Sequence, residues 1–147
     1  MTSNLTTLIK NNEAESDPKQ MSPLSLAFLG DAVFGLLVRE RLLSEANRPA
    51  GQLHSLSAKI VCAGAQFEAM KKVMENLSED ELSQFKRGRN AHTGHKPKHS
   101  SETEYHYATG LETLFGYLYL SGRSERLNEL FNEIYCVIIE KNNTDRA

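Results

Sequence analysis

Apolar residues recur every three to four positions in five blocks along this chain, and no stretch reads as a strand. Ser22 followed by Pro23 supplies an N-cap and a proline at the first helical position, and the apolar pattern then runs from Leu24 to about Leu43. Asn47-Arg48-Pro49-Ala50-Gly51 interrupts it. Leu53, Leu56, Ile60, Val61, Ala65, Phe67, Met70 and Val73 continue the period as one long second helix to about Met74. Ser78 with Glu81 forms a capping box over a third, shorter helix, acidic at its start and basic at its end as the helix dipole favours. Residues 88–100 contain Gly88, Gly94 and Pro97 and no apolar period, which predicts a loop; its length favours a binding role. Ser101 with Glu104 caps a fourth helix that passes through Tyr105, Ala108, Leu111, Glu112, Phe115 and Tyr119 to a stop at Gly122. Leu127, Leu130, Phe131, Ile134, Tyr135 and Ile138 make the inward face of a last helix, from about Glu125 to Glu140. The fold class predicted is all-α.

Length and composition are consistent with one domain. The 147 residues, 39% of them hydrophobic, suffice for a single core. Residues 1–20 are polar and aperiodic and predict a flexible N-terminal arm, 21–141 the folded domain, and 142–147 a frayed tail. No 18-residue apolar run exists, and the first twenty residues lack the basic and apolar regions of a signal peptide, so a soluble, reducing, cytoplasmic setting without a membrane partner is expected. Cys62 and Cys136 lie far apart in apolar segments, where a thiol is expected to behave as a small hydrophobe.

Charge is unevenly placed. Lys86, Arg87, Arg89, Lys96 and Lys98 fall between residues 86 and 100 with no acid among them, a local +5 that against a net charge of −2 leaves −7 on the rest of the chain. A basic patch on an acidic body favours a polyanionic partner, with a solvated loop as the plain alternative. His92, His95 and His99 are interleaved with it.

The strongest chemical signal is an acid inside the most apolar helix. At helical spacing Asp31 has Leu24, Phe28, Gly35, Val38 and Leu42 as stripe neighbours, so it is expected to face a core, where an ionised carboxylate costs several kcal/mol unless a cation relieves it. Glu112 repeats the problem among Ala108, Thr109, Phe115 and Gly116. Each acid is followed four residues later by glycine, Gly35 and Gly116, and Gly30, Ala32, Ala108 and Gly110 lie nearby, so two closely approaching helices could bring the carboxylates together. Oxygen ligands and waters would then suit Mg²⁺, with Mn²⁺ as a substitute, better than zinc. Pairing of each acid with a buried lysine or arginine, or an outward orientation, is the alternative that spacing leaves open.

These residues carry a resemblance. Phe28-Leu29-Gly30-Asp31-Ala32-Val33 is similar to the signature helix of ribonuclease III, and Leu111-Glu112-Thr113-Leu114-Phe115-Gly116 resembles that family's later metal-binding helix. Lys86-Arg87-Gly88-Arg89-Asn90-Ala91 and the basic loop after it point to the small subfamily called Mini-ribonuclease III, over about Pro23 to Tyr135. The larger enzymes usually carry glutamates where this chain has Leu24 and Ala27, an aspartate where it has Thr109 and, by a looser match, a glutamate where it has Ala50. The reduced set leaves Asp31 and Glu112 as the acidic core and puts a tightly held second metal in doubt. No double-stranded-RNA-binding domain is expected to follow.

The resemblance implies a two-fold symmetric homodimer of ribonuclease III catalytic domains that hydrolyses double-stranded RNA to 5′-phosphate and 3′-hydroxyl ends. Asp31 and Glu112 would hold the catalytic metal. Lys86, Arg87, Arg89, Asn90, Lys96 and Lys98 would contact RNA backbone across the minor groove, with the three histidines as weaker candidates. Leu24, Phe28, Phe34 and Val38 are the candidates for the dimer interface, against an ordinary intramolecular core. The family's usual substrate suggests large-subunit (23S) ribosomal RNA precursor, with a ribosomal protein or pre-ribosome as a further partner. A non-catalytic RNA-binding or ribosome-associated module of the same fold, and a helical protein-interaction dimer, are the alternatives; retention of both acids argues against the former.

Overall fold

The computed structural model describes residues 17–91 and 101–145. They form α1 (Pro23–Glu45), α2 (Ala50–Val61), α3 (Ala63–Val73), α4 (Glu79–Arg89), α5 (Glu102–Leu120) and α6 (Ser124–Asp145), with 3₁₀ turns at Pro18–Gln20 and Met74–Asn76. Among the described residues there is no strand, and the architecture is all-α. No helix among them is long and apolar enough to cross a membrane.

The caps read from sequence are where the helices begin. Ser22 Oγ accepts from the Ser25 amide at 3.1 Å with Pro23 in the first helical position, and both capping boxes, Ser78 with Glu81 and Ser101 with Glu104, close in both directions. Asp17 caps the first 3₁₀ turn, so part of the stretch expected to be an arm is helical, and Lys19 of that turn lies 3.9 Å from Asp80. At the other end α6 continues past Lys141 to Asp145.

The long second helix expected from the apolar period is two helices. Cys62 adopts an extended conformation (φ −70°, ψ 152°) and ends α2, and α3 starts at Ala63 in a new direction. No proline marks the break. The start of α3 has no side-chain cap of its own, and Glu104 of α5 lies against Gly64, 2.9 Å from where a Cβ would stand there. A carboxylate at that helix start suits the dipole. Cys62 and Cys136 are free and exposed, contrary to their expected behaviour as buried apolar groups: Cys62 falls at the helix break and Cys136 on the outer side of α6.

Helix α5 is the spine. It packs against α1, α3, α4 and α6, and Leu111, Leu114, Phe115 and Leu118 are fully buried in the core with Leu26, Phe34, Val38, Met70, Phe85 and Ile134. Phe34 meets Phe115 and Phe131 edge-on at 5.5 and 5.8 Å. Phe34 and Val38 are therefore core residues, 1% and 0% exposed, and not the interface residues the sequence suggested; the cause is that α1 is apolar around most of its circumference, so the period does not tell its inner face from its outer one. One buried acid, Glu81, is held by Arg126 through bonds of 2.8 and 3.0 Å. Burial alone would raise its carboxyl pKa, but Arg126 and Ser78 hold it below the usual value.

Candidate active site

Two glycines let α1 and α5 cross with backbones in contact. A Cβ at Gly30 would fall on the Glu112 carbonyl and 2.9 Å from the Gly116 nitrogen, and a Cβ at Gly116 would fall on the Leu26 carbonyl. Only glycine fits at either place. Of the small residues the sequence offered, Gly30 and Gly116 make the crossing, whereas a Cβ at Gly35 would meet nothing beyond the Arg39 side chain. Close contact at Gly30 against Glu112 is what brings the two acids together.

Their environments differ from the expectation in one respect. Asp31 is exposed in the single chain, at the seam between the buried side of α1 and an outer apolar side, because residues 30, 33 and 34 take the inward positions. Glu112 is half-buried, and burial followed by the nearby Asp31 charge pushes its carboxyl up to about 8. Neither acid forms an ion pair among the described residues, so the alternative of a lysine or arginine partner is not realised there. No group of three or more histidine, cysteine, aspartate or glutamate side chains that could hold a metal forms among the described residues. A pair of close carboxylates without a cation is a donor set that fits a hard divalent ion, above all Mg²⁺, which binds through one or two carboxylates and keeps several waters. Leu24 and Ala27, two turns and one turn before Asp31, add no oxygen ligand.

Helix α4 meets α5 through a second pair of glycines. A Cβ at Gly110 would stand 2.7 Å from the Phe85 ring, and one at Gly88 would be 3.0 Å from the Gly110 Cα and collide with Thr113. This contact sets the basic end of α4 beside the helices that carry Asp31 and Glu112. Lys86 and Asn90 are exposed and line a shallow open groove with Glu79, Leu82, Ser83 and Arg87. Arg89 is held over Phe85 and Tyr107, 5.8 and 6.0 Å from the ring centroids, with its Nε donating to Asn90 Oδ1 at 3.3 Å. Arg87 behaves differently, its guanidinium donating to Gln84 Oε1 and to the Met21 carbonyl, both at 2.8 Å. Lys96, Lys98 and the three histidines of that stretch lie outside the described residues.

An apolar stripe runs along the outer side of α1. Phe28 is 85% exposed and Leu43 60%, with Leu24 and Leu36 partly covered. Leu24 and Phe28 are thus on the surface as the interface reading requires, and Leu36 and Leu43, to which the sequence reading gave no interface role, extend the set.

Comparison with known proteins agrees with this geometry. Residues 24–123 match the ribonuclease III domain. A Mini-ribonuclease 3 of a Thermoanaerobacter species is 43% identical over 121 residues, 82% of this chain and 84% of that protein, and that of Brevibacillus brevis is 38% identical over 130 residues, 88% and 97%. The crystal structure of a Fusobacterium nucleatum protein superposes with a TM-score of 0.74 at 30% identity, covering 87% of this chain and 99% of that one. The glycine-mediated crossing that joins Asp31 to Glu112 lies within the matched domain, and the chain belongs to the Mini-ribonuclease 3 family of ribonucleases.

Proposed function

We propose that this ribonuclease is a divalent-metal-dependent endonuclease specific for double-stranded RNA, with Asp31 and Glu112 as its metal-holding and catalytic carboxylates. The observation that carries the reading is the pair itself: two acids brought together by a backbone-to-backbone helix crossing, one of them half-buried, with no cation to neutralise them among the described residues. Mg²⁺, or Mn²⁺ in its place, would supply Lewis acidity at the scissile phosphate and acidify a coordinated water. The protein's own residues do the rest. Asp31 and Glu112 offer oxygens on adjacent helices at fixed separation, and the core behind Glu112 excludes water from one side of the site. Lys86, Arg89 and Asn90, with Lys96 and Lys98, hold phosphates and 2′-hydroxyls, a mode that reads duplex shape more than sequence.

Cleavage of both strands requires two sites, and the outer stripe of α1 supports a two-fold dimer. Phe28, Leu36 and Leu43 lie along one exposed line, beside an apolar groove lined by Leu42, Leu43, Ala50 and Leu53. Two copies of α1 laid antiparallel would cover both stripes. Residues 21–141 act as the catalytic domain. The cellular substrate in this reading is the precursor of large-subunit (23S) ribosomal RNA in the cytoplasm, bound alone or within a pre-ribosome with a ribosomal protein. Incubation of the purified protein with long duplex RNA and Mg²⁺ tests the activity: cuts leaving 5′-phosphates, absent with EDTA and absent from single-stranded RNA, are expected, and an intact duplex at low salt would overturn the reading.

A further inference from the structure

We propose that Arg87 is a positioning residue that ties the RNA-facing helix α4 to the start of α1, and so holds Asp31 in register with Glu112, instead of contacting substrate phosphate. The proposal rests on the metal-site reading above for its catalytic consequence.

The start of α1 needs an external tie. The first carbonyl used by the helix ladder is that of Ser22, which accepts from Leu26 at 3.1 Å, so the Met21 carbonyl before it has no acceptor role within α1. Arg87 supplies the donor through Nη2 at 2.8 Å, across 66 residues of sequence. The other arm, Nη1, donates at 2.8 Å to Oε1 of Gln84, whose side chain is buried. A guanidinium held by two fixed acceptors, one of them anchored in the core, is rigid. The Met21 amide is also fixed, donating to the Pro18 carbonyl at 3.2 Å. On the far flank, Thr113 Oγ1 lies 3.0 Å from the Pro23 carbonyl and 2.8 Å from the Thr109 carbonyl, which share its single hydroxyl proton.

The first turn of α1 is thus clamped between α4 and α5, with Thr113 next in sequence to Glu112. Asp31 stands eight residues along α1 from Pro23, about 12 Å at 1.5 Å per residue. The Gly30–Gly116 crossing fixes how closely α1 approaches α5, and the Phe34–Phe115 contact lies beyond it toward the C-terminal end of α1. The clamp fixes the other end, at the first turn, and so sets the tilt and rotation of the segment that carries Asp31. Lys86 lies one residue from Arg87 on the exposed groove of α4, so a duplex gripped there presses on the same helix that holds the metal helix in place.

A planar fork with two acceptors distinguishes this role from a phosphate contact. Lysine keeps the charge but cannot serve both Met21 and Gln84, so Arg87→Lys and Arg87→Gln should both lower kcat about tenfold, the scale expected of a sub-ångström misplacement, while KM, duplex affinity in EDTA and the salt slope of binding stay at the wild-type value. Lys86→Ala provides the contrast, with a smaller salt slope. If Arg87→Gln loses affinity and salt slope while Arg87→Lys behaves as wild type, Arg87 is a phosphate ligand and the proposal is overturned; unchanged kcat in both variants overturns it equally. Amide hydrogen exchange gives an arm independent of catalysis. Faster exchange over residues 24–31 of α1 in both variants is expected whether or not the wild type cuts duplex RNA, and wild-type exchange there would refute the clamp.

Discussion

Gly30 of α1 rests directly on the Glu112 backbone of α5, and a Cβ there would overlap the Glu112 carbonyl oxygen and stand 2.6 Å from its carbon. The adjacent residue is Asp31. Sequence neighbourhood on one helix and backbone contact with the next therefore place the two carboxylates together, and the same contact leaves no room for a side chain.

Gly30→Ala should force the helices apart, because both groups it meets are backbone and cannot rotate away. A stability loss of about 2–4 kcal/mol is expected, at or somewhat above the usual range for overpacking, with cleavage lost more completely than folded protein. Gly51→Ala in α2 is the control. Nothing lies within 4 Å of a Cβ at Gly51, so that change should stabilise the protein by roughly 0.5–1 kcal/mol. Urea denaturation measures both, and a Gly30→Ala variant as stable and active as wild type would contradict the crossing.

The raised Glu112 carboxyl makes stability of the metal-free protein depend on pH. Its unfolded-state value is near 4.5 and its folded-state value about 8, so between these the native state holds a proton that the unfolded state has lost. Stability contributed by this group is therefore full below pH 4.5, falls as pH rises and is exhausted above 8. Relative to wild type, Glu112→Gln should gain roughly 2–4 kcal/mol across that window in EDTA. Parallel pH profiles of the two proteins would remove the effect. With Mg²⁺ present the wild-type loss should shrink, since a bound cation favours the ionised pair.

Phe28 is the largest exposed apolar side chain on α1, and a charge there should be incompatible with a covered stripe. Phe28→Glu is expected to give a folded monomer by sedimentation at concentrations where the wild type is dimeric, with helical content unchanged. A monomeric wild type, or a dimeric variant, would place any interface elsewhere.

Much of this arrangement was legible in the sequence, and the gaps have physical causes. The three N-caps, Ser22, Ser78 and Ser101, announced their helices because capping is local chemistry. The pairing of Asp31 with Glu112 was legible because an acid among apolar neighbours is an anomaly on any helix. The break at Cys62 was not, since no glycine or proline produces it; packing of α3 against α5 and α6 does. The inner side of α1 was misjudged for a related reason, as Phe34 and Phe28 are equally apolar and only the position of α5 decides which is buried. Arg87 was indistinguishable from its basic neighbours because its partner, a carbonyl 66 residues away, leaves no mark in sequence.

Single-turnover cleavage of a long RNA duplex by wild type, Asp31→Asn and Glu112→Gln, measured beside duplex affinity in EDTA, tests the central claim most directly. The account predicts that each substitution abolishes Mg²⁺-dependent cleavage while affinity and helical content stay within about twofold of wild type. Robust cleavage by either variant would show that the Asp31–Glu112 pair is not the catalytic centre.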